Sequence, residues 1–182
     1  MRGLKIKENV TCGTLSVIQL ETQDELAEFP ITDLSVFFKW LKNYETGLNY
    51  ISIPMRECYA EMIYILRPQT LIVLEPDTVY EAFKLMFGTD AYAYMEETAA
   101  TFFTANKNDM SWDMPSFFKL FYSANSRKEA LTIYNHWQEV IPLNNSSFCQ
   151  VLEVFEQHLD EILNYFSLME ATHKEEVAEI FS

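Results

Sequence analysis

The chain has 182 residues and a mass of 21.3 kDa, the size of one ordinary domain; 49% apolar and 15% aromatic residues suffice for a packed core. Its 27 acids against 13 bases leave a net charge of −14, which argues against direct contact with nucleic acid or an anionic membrane. Only four glycines are present where average usage would give about 13, so the common glycine-rich phosphate loops are excluded at the outset.

Residues 4–20, LKIKENVTCGTLSVIQL, alternate apolar and polar side chains on either side of Gly13 and predict a β-hairpin. Thr22 and Glu25 have capping-box spacing, which predicts a short helix stopped by Pro30. Thr32 is expected to cap the next helix, with Phe37, Trp40, Leu41 and Tyr44 at helical spacing and Gly47 at its end. Leu48–Ile53 reads as a strand, and Pro54 suits the first turn of a helix running through Leu66. Residues 69–74, QTLIVL, form a second strand between Pro68 and Pro76; the intervening crossover is short for a parallel pairing. Asp77 then caps a helix ending at Gly88.

From Thr89 onward no strand is expected. Helices are predicted near 90–104, 115–123, 127–140, 147–170 and 173–181, with capping boxes at Ser126/Glu129 and Thr172/Glu175. The helix over 147–170 carries one apolar stripe: Phe148, Val151, Leu152, Phe155, Leu159, Ile162, Leu163, Phe166 and Met169. The expected fold class is α+β, predominantly α, with a small N-terminal β-hairpin/sheet element packed with a C-terminal helical bundle. Residues 1–182 read as a single compact domain. A loose join near 106–111 would separate a mixed α/β lobe, 1–105, from an all-helical lobe, 111–182.

The first residues hold no apolar stretch of signal-peptide length, and no run approaches the roughly 18 apolar residues of a membrane span. A soluble, cytoplasmic protein is expected. Cys12, Cys58 and Cys149 are odd in number, far apart and without a C-x-x-C pair, which favours buried free thiols over a zinc or redox site.

Catalytic signatures are sparse. The chain has no G-x-x-x-x-G-K, G-x-G-x-x-G, G-x-S-x-G or H-E-x-x-H. Cys58 has no histidine nearby in sequence, and its acidic neighbour Glu57 would raise a thiol pKa, so a core or interface cysteine is the cheaper reading. Glu170-x-x-His173 matches half of a di-iron pattern whose second half is missing. Glu57 and Glu61 could pair as catalytic carboxylates, but a solvated helix face beside Arg56 explains them more cheaply. No enzyme activity, metal or cofactor is expected.

Charge distribution is the one positive signal. Residues 1–20 carry a net of +2, whereas residues 129–182 hold ten acids and a single base, Lys174, a net of −9. Glu153, Glu156, Asp160 and Glu161 lie opposite the apolar stripe, at steps of the same order as the phosphate spacing of a nucleic-acid strand. Like charges one turn apart cost a helix a few tenths of a kcal/mol, about 0.3 each, which a basic partner would offset. Tyr92, Tyr94 and Trp112 are candidate desolvated anchors for such a partner.

Small size, strong acidity, the stretch Glu153–Glu161 and the lack of a catalytic signature resemble the phage- and mobile-element-borne inhibitors of type II CRISPR nucleases. That family shares no common fold, so the resemblance implies function alone. It implies a non-enzymatic DNA mimic that occupies or blocks the DNA-binding surface of a guide-loaded effector. The partner would be a basic nucleic-acid-binding protein, with no direct nucleic acid and no membrane, in the host cytoplasm. Two other readings stand beside it: a structural or adaptor protein of a phage or intracellular assembly, and a carboxylate-based metal enzyme in a helical bundle.

Overall fold

The structure, a computed structural model, describes residues 2–44, 47–86, 118, 120–140 and 146–180, with side chains except at positions 57, 140, 146–149 and 173–180. It is a mixed α/β fold, with a sheet near the N-terminus and helices elsewhere. The chain forms two compact units, Met1–Val79 and Tyr80–Ser182. The join expected near 106–111 and the helix expected over 90–104 lie outside the described residues.

The first unit contains β1 (Gly3–Asn9), β2 (Thr14–Gln19), β3 (Glu25–Pro30), α1 (Leu34–Asn43), β4 (Tyr50–Ser52), α2 (Glu57–Leu66) and β5 (Leu71–Val73). The strands form one five-stranded mixed sheet in the order β3-β2-β1-β4-β5. β1, β2 and β3 run as an antiparallel meander, while β4 joins β1, and β5 joins β4, in parallel. Gly13 closes the first hairpin at φ +68°, in the left-handed region that glycine enters without a Cβ clash. The short crossover through α2 does deliver a parallel β4–β5 pair.

Alternation places the core on one face. Leu4, Ile51 and Ile72 stand opposite one another across three strands and are fully buried. Ile6 faces Val17, and Leu15 faces Phe29, in the next rows. Phe37 of α1 meets Phe29 edge-on at 5.7 Å and Tyr59 of α2 at 6.2 Å, so both helices close over this end of the face.

Residues 25–30 are a strand, not the expected helix. Five residues before a proline give few helical hydrogen bonds against the cost of nucleation. Pairing with β2 satisfies the same backbone, and Pro30 is tolerated at a strand end on the sheet edge. The supposed capping residues do other work. The Thr22 hydroxyl accepts from the Asp24 N–H at 3.3 Å inside a tight turn, and Glu25 accepts from the Ser16 hydroxyl across the strands at 3.1 Å.

Helix ends shift for equally local reasons. Asp33, not Thr32, caps α1, its carboxylate accepting from the Ser35 N–H at 3.1 Å. At the other end, before Gly47, Arg67 donates to the carbonyls of Leu41, at 2.7 Å, and of Tyr44, adding a charged donor where the Tyr44 N–H already closes on Leu41 at 3.2 Å. α2 begins at Glu57, three residues beyond Pro54.

The second unit's described elements are the remainder of a helical run over 76–86 that crosses the unit boundary, a helical turn at 120–122, α3 (Arg127–Val140), α4 (Ser146–Gln157) and α5 (Leu159–Ile180). Its core is aromatic. The fully buried Phe155 ring lies 5.2 Å from Phe121, 5.3 Å from Tyr134 and 6.3 Å from Phe83. The single helix expected over 147–170 is two helices, broken at His158, whose N–H turns back to the Phe155 carbonyl at 3.3 Å. The second of them continues through the expected Thr172 cap. With no glycine or proline to stop the helix there, the Thr172 hydroxyl donates to the Leu168 carbonyl one turn back at 3.0 Å.

Cys12 and Cys58 are exposed free thiols rather than buried ones. Cys12 sits in the turn of the first hairpin and Cys58 in the first turn of α2, and neither position points into the sheet core.

Candidate functional site

The acidic segment singled out by charge is carried by α4 and the start of α5. Val151 and Phe155 bury one side of α4, which turns Glu153 and Glu156 outward to solvent. They are three residues apart, and among the described residues neither has a cationic partner. Phe155 stacks on Tyr134 of α3, so the side of α4 opposite the two acids rests on the aromatic core. The Tyr134 phenol is pushed up to about 12, first by burial and then by the negative field of Glu156.

The break at His158 divides the expected four-residue face. Asp160 is exposed, but it accepts from the Arg127 guanidinium at 2.7 Å, and the same side chain reaches Asn164 at 2.7 Å. Its charge is therefore partly neutralised, although with Asp160 81% exposed the pair adds only about 0.5 kcal/mol. Glu161 is 8% exposed and lies beside the buried Ile162 and Leu163, so it belongs to the packed side of α5. Glu153 and Glu156 thus form one exposed pair, Asp160 is a compensated neighbour, and Glu161 is not part of the solvent face. Tyr92, Tyr94 and Trp112 lie outside the described residues.

Sequence reasoning missed Arg127, which ties the N-terminus of α3 to α5. Its backbone N–H donates to the Glu170 carboxylate at 2.8 Å, a favourable place for negative charge at a helix start. Ser126 caps α3 through the Glu129 N–H at 3.1 Å, and Glu129 reaches back to the Asn125 N–H at 2.8 Å, one residue earlier than the capping-box pattern requires. The sole sequence signal for Arg127 was its position beside that cap.

Glu170 is accordingly occupied in helix capping, and the side chain of His173 is outside the described set. Among the described residues no group of three or more His, Cys, Asp or Glu is placed to hold a metal ion. His158 is buried at the helix break. Glu61 is exposed on α2, and nothing is described of the Glu57 side chain.

A second polar cluster sits where β1 and β4 end. Glu8 shares the core-facing row of Leu15 and Phe29. One carboxylate oxygen accepts from the Tyr59 hydroxyl at 2.6 Å, and the other pairs with Arg56 at 2.9 Å. Burial, then the bond to Glu8, raises the Tyr59 phenol above its ordinary range. All three polar groups are matched, which describes a satisfied structural network better than a poised general base. On the opposite face Lys5 pairs with Glu75, and burial together with the fields of Glu21 and Glu75 raises the Tyr50 phenol.

Comparison with known family models, curated proteins and solved structures finds no match to this chain in any of the three. No helix among the described residues is long and apolar enough to cross a membrane.

Proposed function

We propose that this chain is a non-enzymatic binding protein that presents an acidic helical surface to a basic, nucleic-acid-binding partner and blocks that partner's DNA-binding surface. Its most specific form is inhibition of a guide-loaded type II CRISPR nuclease by a phage- or mobile-element-borne protein in the host cytoplasm. One observation carries the reading: Glu153 and Glu156 are exposed one turn apart on α4, held by a buried aromatic face and without a described cationic partner. The surrounding segment is strongly acidic, with a net of −9 over residues 129–182. Such a surface is attracted to a channel built to hold phosphates, and it requires no turnover to obstruct one.

The physical consequence is competition that weakens with salt, because exposed charge pairs are screened over about 8 Å at physiological ionic strength. The experiment is displacement of labelled target DNA from a guide-loaded type II nuclease at low and high salt. Displacement at low salt that fades as salt rises supports DNA-like competition. Absence of binding at low salt removes that nuclease as the partner, and salt-insensitive binding removes the electrostatic basis.

A further inference from the structure

The first unit carries a surface of opposite character. A groove of about 720 Å³ opens between α1 and the sheet edge, lined by Arg2, Leu26, Val36, Lys39, Trp40 and Tyr44 among others. Its floor is a continuous aromatic run: Phe29 lies 5.7 Å from Trp40, and Trp40 lies 4.9 Å from Tyr44. The Arg2 guanidinium stands 5.6 Å over the Tyr44 ring, at the range of a cation–π contact. In a chain with twice as many acids as bases, the lining among the described residues holds two cations and no carboxylate. Leu26 and Val36, at 38% and 46% exposure, leave apolar surface open to water at its rim.

We infer that this groove binds an extended acidic peptide segment of a partner protein, one that combines carboxylates with apolar side chains. Three features favour that occupant. Charge complementarity comes first, since Arg2 and Lys39 flank the groove and select negative groups. The aromatic floor and the exposed Leu26 and Val36 reward apolar side chains entering from above. Finally, Leu26 and Phe29 belong to β3, the edge strand of the sheet, which leaves that side of the groove accessible to an extended chain. The surface belongs to the first unit and the acidic pair to the second, so the two readings stand or fall separately.

The probe is a synthetic eight-residue peptide alternating Glu with Leu and Phe, titrated against the full chain by isothermal calorimetry. A Gln-for-Glu peptide, a Lys-for-Glu peptide and phosphatidylglycerol vesicles serve as comparators. The acidic peptide is expected to bind about fivefold more tightly than the neutral one, and the basic peptide most weakly. Val36→Asp and Lys39→Glu, both at exposed positions, are each expected to weaken the acidic peptide by a similar factor. Equal binding of acidic and neutral peptides overturns the inference. So does insensitivity to both substitutions, capture of vesicles with no peptide binding, or a concentration-dependent dimer that Lys39→Glu abolishes. If a variant fails to fold, the three-peptide comparison on the unaltered chain still decides.

Discussion

Tyr122 and Tyr134 show how single phenols report on the helical unit. The Tyr122 hydroxyl is buried, finds no hydrogen-bond partner among the described residues, and has its ionisation displaced upward by burial. An unmatched buried hydroxyl costs free energy that removing it recovers. Tyr122→Phe is therefore expected to raise unfolding stability by about 1 kcal/mol in urea titrations; a loss of similar size would show that the hydroxyl is bonded. Tyr134 is the reverse case, because its environment favours the neutral phenol. A phenol held at about 12 when folded and near 10 when unfolded stabilises the fold below pH 10. That contribution is lost as pH rises from about 10 to about 12. Glu156→Gln removes part of the opposing field, so the Tyr134 ring resonances should titrate at lower pH in that variant. An unchanged midpoint would place Glu156 too far from the ring to act on it.

Among the elements, α1 and β3 show what local sequence decides and what pairing decides. The last turn of α1 is completed by Arg67, which follows α2 and delivers a charged donor to three acceptors, the carbonyls of Leu41, Lys42 and Tyr44. Arg67→Ala should destabilise the first unit by about 2 kcal/mol, with Arg67→Lys recovering part, since a point charge cannot span the same carbonyls. Equal stability of all three proteins in thermal unfolding would contradict that role. The β1–β2 hairpin was legible because alternation and Gly13 agree, and β4 and β5 because short β-branched runs sit between turn residues. β3 was not legible: ELAEFP lacks alternation, Thr22 and Glu25 imitate a cap, and only the open edge of β2 selects the strand. The α4–α5 break was hidden for a related reason, since the apolar stripe runs on through His158 with no glycine or proline to mark a stop. Of the acidic site, the charge was readable and the burial was not. Glu161 and Asp160 differ in exposure because α5 restarts at Leu159, a feature of packing rather than of composition.

Taken whole, the molecule combines a basic, aromatic groove in one unit with a strongly acidic helical surface in the other. Net charge alone speaks to solubility and encounter, so the proposed function turns on whether the placement of the acids matters. The decisive comparison is between two double reversals with the same change in net charge. Glu153→Lys/Glu156→Lys alters the exposed pair on α4, and Glu28→Lys/Glu61→Lys alters exposed acids of the first unit. Binding of each to a guide-loaded type II nuclease would be measured at low salt, beside the unaltered chain. The expected result is a loss of tenfold or more, about 1.4 kcal/mol, for the α4 variant and a change of about twofold or less for the other. Equal losses in both variants, or none in either, would contradict a DNA-mimicking surface on α4.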